Sequence, residues 1–307
     1  SDNAFDGLAD QTVTATTTSD DDTAGYTLSG ATVTVTEAGS TDTFTVVLDS
    51  EPTSDVVFTV ASADTGEATV SASTLTFTTA NWNATQTVTV TGVDDSIDDG
   101  NQDTTVTIAV DDDNSDNAFD GLADQTVTAT TTDDDTAAFT LSTTTWSVTE
   151  AGGTATFTVV LTTQPLSDVV VAVSSADTGE ATVSASTLTF TTANWNATQT
   201  VTVTGVDDSI DDGNQDTTVT IAVDDDNSDN AFDGLADQTV TATTTSDDDT
   251  AGYTLSGATV TVTEAGSTDT FTVVLDSEPT SDVVFTVASA DTGEATVSAS
   301  TLTFTTA

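Results

Sequence analysis

The chain contains no lysine, arginine, histidine or cysteine. Against 52 aspartates and glutamates this leaves a formal net charge of −52 over 307 residues. With no cation to meet a phosphate, a nucleic-acid partner is excluded, and so is attraction to an anionic membrane surface. Without cysteine there is no disulfide, thiolate metal site or thiol redox chemistry. Without histidine, zinc, copper and iron lose their usual ligand, and general acid–base catalysis loses its usual residue. No apolar run reaches the roughly eighteen residues needed for a membrane span. No signal peptide is visible, the chain opening in mid-pattern. Proline occurs only as Pro52, Pro165 and Pro279.

What the chain does have is alternation. Ala31–Glu37, Thr43–Val46, Thr74–Thr78 and Thr87–Thr91 place Val, Phe or Leu at every second position, with Thr between them. Period two is the signature of half-buried strands, and Thr suits their solvent side. Further strands are expected at Asp55–Ala61, Glu67–Ser71, Thr104–Val110 and Gln125–Thr131, giving seven to nine per repeat. No segment carries a helical period. So acidic a composition suggests disorder, but ordered alternation argues for a folded core.

The alternation belongs to a repeat. Residues 1–80 recur as 228–307, and residues 62–132 recur as 175–245. The period is about 113 residues, enough for one core per repeat and too long for a helical solenoid. The reading is 1–19 as the last strand of a preceding repeat, then β-sandwich repeats at 20–132 and 133–246, then a truncated one at 247–307. The chain therefore reads as a piece of a longer array. The expected class is all-β, a tandem series of immunoglobulin-like antiparallel sandwiches joined head to tail.

The acids fall between the strands. Gly92 to Asp103 carries five carboxylates with no cation near, and Gly205 to Asp216 repeats it intact. Such a loop compacts only if something from outside neutralises it. Hard oxygen ligands in this density suit Ca²⁺. Further acids gather at Glu37 (Glu150), at Asp64 with Glu67 (Asp177 with Glu180), and in the triplets Asp133-Asp134-Asp135 and Asp247-Asp248-Asp249. Strand parity groups them. The strand after the acidic loop runs to the far tip and the last strand returns, so the triplet arrives beside Asp94–Asp99. A second acidic loop, Asp111 to Asp124, belongs to the opposite tip. Its candidates are Asp111, Asp113, Asp120 and Asp124, with Asp224, Asp226, Asp233 and Asp237 in the next copy. It lacks the sixth-position Gly and closing Glu of an EF-hand, and its Asn and Asp-Gly residues are also ordinary turn chemistry.

Val-Thr-Glu-Ala-Gly near the start, Thr-Leu-Thr-Phe before Asn-Trp-Asn, Thr-Val-Thr-Val-Thr-Gly-Val-Asp-Asp and the closing acidic triplet together resemble a Calx-β domain, as found in bacterial surface arrays. The resemblance covers nearly the whole repeat. It implies Ca²⁺ at one tip of each sandwich. The implied ligands are Glu37, Asp64, Asp94, Asp95, the main-chain oxygen of Ile97, Asp99, Asp133, Asp134 and Asp135. In the second copy they are Glu150, Asp177, Asp207, Asp208, Ile210, Asp212, Asp247, Asp248 and Asp249. Gly100-Asn101-Gln102 departs from the family, which often has acids there, and this leaves the number of ions open.

The function expected from these features is a non-enzymatic, secreted or cell-surface structural array, in a fibre, filament or adhesin stalk. Several Ca²⁺ ions per repeat would stiffen it, mainly at the junctions between repeats. Its partners would be neighbouring repeats or copies of itself, with glycans possible. Two alternatives stand beside this. One is a filament subunit assembled by strand addition. The other is a carbohydrate- or ice-binding module using rows of outward Thr. Catalysis is not expected, since paired acids that recur at every repeat without a cleft fit structure better than glycoside hydrolysis. Trp146 replaces Val33 on the inward phase and is expected in the core, and Trp82 and Trp195 at its edge.

Overall fold

Alternating Val and Thr produce strands that bury one face only. The computed structural model describes residues 3–18, 22–245 and 249–306. The first repeat contains β1 (Tyr26–Leu28), β2 (Thr32–Thr36), β3 (Thr41–Leu48), β4 (Val56–Ser62), β5 (Ala68–Val70), β6 (Thr74–Phe77), β7 (Gln86–Gly92), β8 (Gln102–Val110) and β9 (Gln125–Thr132). They form two sheets, in the orders β1-β3-β7-β5 and β2-β9-β8-β4-β6. All pairings in this repeat are antiparallel except β2 with β9, which run parallel. The three-residue β1 is the strand that the pattern does not announce, because three residues establish no alternation.

The second repeat follows the same plan. Its strands are β10 (Phe139–Leu141), β11 (Thr145–Thr149), β12 (Thr154–Leu161), β13 (Val169–Ser175), β14 (Ala181–Val183), β15 (Thr187–Phe190), β16 (Gln199–Gly205), β17 (Gln215–Val223) and β18 (Gln238–Thr245). Its sheets are β10-β12-β16-β14 and β11-β18-β17-β13-β15. The chain is all-β, without an α-helix among the described residues. Contacts divide it into two units, Ser1–Asp95 with Asp99–Asp134, and Ser96–Asp98 with Asp135–Ala307.

Each sandwich closes over one apolar layer fed by both sheets. Phe44, Val46, Val88 and Val90 from one sheet meet Phe58, Phe77, Val106 and Ile108 from the other, all fully buried. Each such side chain contributes roughly 1.5–3 kcal/mol through apolar burial. Trp82 and Trp195 cover the edges of the two cores. Trp146, expected in the core, is only half-buried against it, its ring tilted and 5.2 Å from that of Phe157 and its indole N–H donating to the Thr156 carbonyl at 3.1 Å.

Identical sequence meets different fates according to its sheet partners. Gln238–Thr245 is strand β18, paired to β11 and β17, with Val240 fully buried. Residues 11–18 have the same sequence but form no strand, and Val13 is 92% exposed. Likewise residues 249–306 carry only β19 (Tyr253–Leu255), β20 (Val273–Leu275), β21 (Val283–Thr286) and β22 (Thr301–Phe304), in two two-stranded sheets. Tyr253 is 54% exposed where its counterpart Tyr26 is 6%.

The tip where each sandwich begins is fastened by a carboxylate. Asp116 is buried and accepts from Thr53 Oγ1 (2.6 Å), Ser54 N–H (2.9 Å) and Ala118 N–H (2.9 Å), as well as from Thr53 N–H. Asp229 does the same with Leu166, Ser167 and Ala231. The Thr53 hydroxyl, with the surrounding amides, holds the Asp116 carboxyl at about 2. For Asp229, burial pushes upward, but the three amides and the Ser167 hydroxyl outweigh it and the net direction is down. Asp116→Ala leaves several donors unmet and is expected to cost the first repeat about 2–3 kcal/mol in denaturant unfolding at pH 7. Because the folded value lies below the ordinary one, this contribution is whole above about pH 4. It disappears as pH falls through about 2, where parent and variant should converge.

Candidate metal centre

β2 ends at Thr36, and the chain turns so that the next residue, Glu37, faces the end of β7. Gly92 is required there, because a Cβ on it would collide with the Thr36 carbonyl oxygen, as would one on Gly205 with that of Thr149. This close approach sets Glu37 against the start of the acidic loop. The Glu37 amide donates to the Thr132 carbonyl at 3.1 Å, so the end of β9 arrives at the same tip with its triplet. Strand parity thus holds, since β8 carries the chain away from this tip and β9 brings it back.

Glu37 is only 1% exposed. Asp133, from the triplet, lies near enough for its charge to act on the Glu37 carboxyl. Burial first, then the charges of Asp133, Asp95 and Glu67, raise the Glu37 carboxyl from 4.5 to about 7, against a smaller downward pull from the Asp134 N–H. Glu67 is raised as well, by burial and by Asp99, Asp95, Asp64 and Asp133. Its Oε2 is buried with no hydrogen-bond partner. Its main chain is fixed by Val93 N–H at 2.9 Å and by the Thr131 hydroxyl at 3.1 Å. The second repeat shows part of the same arrangement. Glu150 is buried, and Glu180 is raised by burial and by Asp212, Asp208, Asp177 and Glu150.

The structure therefore gathers Glu37, Asp64, Asp95, Asp99 and Asp133, and in the second copy Glu150, Asp177, Asp208 and Asp212; Asp135 belongs to the second unit. Glu67 and Glu180 join them although they were not among the expected ligands. Their signal was present, an acid three residues after Asp64 and Asp177, but exposed turn acids are common. Asp94 and Asp207 are exposed and make no hydrogen bond among the described residues. Asp134 contributes its amide to Glu37 at 3.4 Å. Ile97 falls in the Ser96–Asp98 stretch that groups with the second unit. The Ile210 carbonyl accepts from the Asp212 N–H at 3.1 Å. Asp249 is half-buried, and Asp247 and Asp248 lie outside the described residues.

Gly100-Asn101-Gln102, where acids were missing, fastens the loop. The Gly100 N–H donates to Asp133 at 2.7 Å, the Asn101 side chain accepts from the Asp133 N–H at 3.3 Å, and the Gln102 amide donates to the Asp99 carbonyl at 3.0 Å. At the opposite tip Asp113, Asp120, Asp124, Asp226, Asp233 and Asp237 are exposed. Asp111 and Asp224 accept from the side chains of Asn114 and Asn227.

The donor set is all carboxylate, hard and anionic, which suits Ca²⁺ and poorly suits softer metals. Oxygens sharing one Ca²⁺ lie at most about 5 Å apart. An orphaned Glu67 oxygen and a buried Glu37 carboxylate, with no protein cation to meet either, are what such an ion would satisfy.

No protein-family model matches the chain. No curated protein matches it either. Among solved structures, it is similar to the calcium binding domain CBD12 of CALX1.1, at 14% identity over 64% of this chain and 79% of that one, TM-score 0.29. It is similar to the surface layer protein SbsC, domains 1–6, at 18% identity over 81% of this chain and 28% of that one, TM-score 0.31. SSP-19, an MSP-domain protein of Caenorhabditis elegans, aligns at 17% identity over 35% and 99%, TM-score 0.26. Likenesses this distant carry no argument about function, and the reading below rests on the acidic tip itself.

In the metal-free chain the raised Glu37 carboxyl has a signed consequence. Between about pH 4.5 and 7 the folded state holds a proton that the unfolded state has released, so stability falls as pH rises across that window. Thermal melting in chelator should show a lower midpoint at pH 8 than at pH 5. Glu37→Gln should reduce that difference; an unchanged pH dependence would contradict the assignment.

Proposed function

We propose that the chain is a non-enzymatic structural array of β-sandwich repeats, at the cell surface or secreted, whose acidic tips bind Ca²⁺. The observation that carries this reading is the buried Glu37 carboxylate among Glu67, Asp95 and Asp133 in a protein without a single cationic side chain. Desolvated like charges are costly, and the cost turns to stabilisation when a divalent ion enters. Metal binding to the native state alone then becomes folding free energy.

In this reading Glu37, Glu67, Asp95, Asp99 and Asp133 hold the ion of the first repeat. Glu150, Glu180, Asp208 and Asp212 hold that of the second. The boundaries 20–132, 133–246 and 247–307 mark the repeats. Removing the repulsion at each tip straightens the acidic linkers and stiffens the run of repeats, as a fibre or adhesin stalk requires. Modules of this kind bind with Kd of roughly 0.1–1 mM, which matches calcium outside cells and excludes the cytosol. Partners are neighbouring repeats, and among the described residues no helix is long and apolar enough to cross a membrane.

At calcium a hundredfold above Kd, each site adds about 2.7 kcal/mol. The melting temperature of the complete repeats should therefore rise on the order of 10 °C over that in EDTA. Glu67→Gln, which removes the orphaned carboxylate, should weaken calcium binding by about tenfold in calorimetry, as expected for losing one charged ligand. A melting temperature indifferent to EDTA would falsify the calcium reading.

A further inference from the structure

The acidic loop has a centre that the metal reading does not use. Residues Ser96–Asp98 group with the second unit. Asp98 Oδ2 accepts from the Ala137 N–H at 2.7 Å, and the Ser96 carbonyl accepts from the Gln164 N–H at 2.6 Å. The next copy of the loop repeats both bonds. Asp211 accepts from Ala251 N–H at 2.7 Å, and the Ser209 carbonyl from Glu278 N–H at 2.6 Å. Ile210 and Asp211 line a cavity of about 340 Å³ with Ala251, Tyr253, Leu275 and Pro279. The receiving groups are equivalent. Ala137 and Ala251 each stand just before the first strand of their repeat, and Gln164 and Glu278 directly precede the recurring turn prolines Pro165 and Pro279. Thr163, beside Gln164, is 2% exposed, whereas its counterpart Ser50 is half-buried. The first repeat presents the same rim, Ala24, Ser50, Glu51 and Pro52, around a cavity of about 230 Å³.

We propose that this rim is a docking socket whose partner is the Ser-Ile-Asp centre of an acidic loop from another repeat, and that Asp98 and Asp211 are the positioning residues that seat it. The chemistry is specific. Two main-chain N–H groups on the rim receive one carboxylate and one carbonyl, with a single isoleucine between them. A charge-assisted bond from an amide to Asp98 is the stronger of the pair. The loop thus has two jobs. Its flanks, Asp95 and Asp99, face Glu37 and Glu67, and its centre engages a socket. The socket uses none of the carboxylates assigned to the ion.

The test is amide hydrogen exchange by mass spectrometry on the full chain, which the unlike sequences around Ala137 and Gln164 make readable. Asp98→Ala should raise exchange at both amides by about tenfold, the equivalent of one charge-assisted bond. Amides of β12 should be unchanged, showing that the sandwich is intact. Asp98→Asn, which keeps an acceptor oxygen, should stay close to the parent. Exchange at Ala137 unaffected by Asp98→Ala overturns the proposal, and so does a rise at Ala137 with Gln164 unmoved, since the loop would not then seat as a unit. Measured in calcium and in EDTA, a difference between parent and variant that persists in a chain binding no calcium keeps the socket and removes only the metal reading.

Discussion

Like-charge repulsion in a partly dry setting is the constraint on which the rest of this structure depends. Burial alone disfavours a charged carboxylate, and neighbouring carboxylates disfavour it further. At the tip of the first sandwich both act on Glu37, and the Asp134 amide opposes them. Most proteins settle such a cluster with lysine or arginine, and this chain has neither. The contrast within one sandwich is instructive. At the opposite tip Asp116 is also buried, yet hydroxyl and amide donors surround it and drive its carboxyl down. One end of the repeat is thus closed by internal hydrogen bonds, while the other gathers carboxylates with few internal donors.

The fold was readable because Val and Thr alternate so strictly that inward and outward faces follow from parity. Parity also foretold that the triplet at Asp133 returns to the tip of Asp95 and Asp99. Other features were not readable, for physical reasons. The three residues of β1 are too few to show a period. Glu67 looks like a solvated turn acid until the β9 hydroxyl of Thr131 and the Val93 amide pin its main chain beneath the cluster. Asp116 lies in a loop of many aspartates, and nothing local marks it as the one that reaches Thr53 from 63 residues away. The neutral Gly100-Asn101-Gln102 stretch read as a loss of ligands, whereas it ties the loop to Asp133.

The internal repetition offers a natural experiment in context. The same eight residues, Gln-Thr-Val-Thr-Ala-Thr-Thr-Thr, form a fully paired strand at 125–132 and 238–245 and none at 11–18. Tyr26 is core, and its duplicate Tyr253 is half-exposed. Strand propensity is identical in each pair, so propensity alone does not decide which copy is a paired strand.

The account stands on an ion at the Glu37 tip, and the most direct measurement is electron density there, from crystals grown in millimolar calcium, with anomalous signal to identify the metal. It predicts a calcium ion about 2.3–2.6 Å from carboxylate oxygens of Glu37, Glu67 and the Asp95–Asp133 group. A tip that shows only water at saturating calcium, with Glu37 protonated and Glu67 still unpartnered, would contradict it.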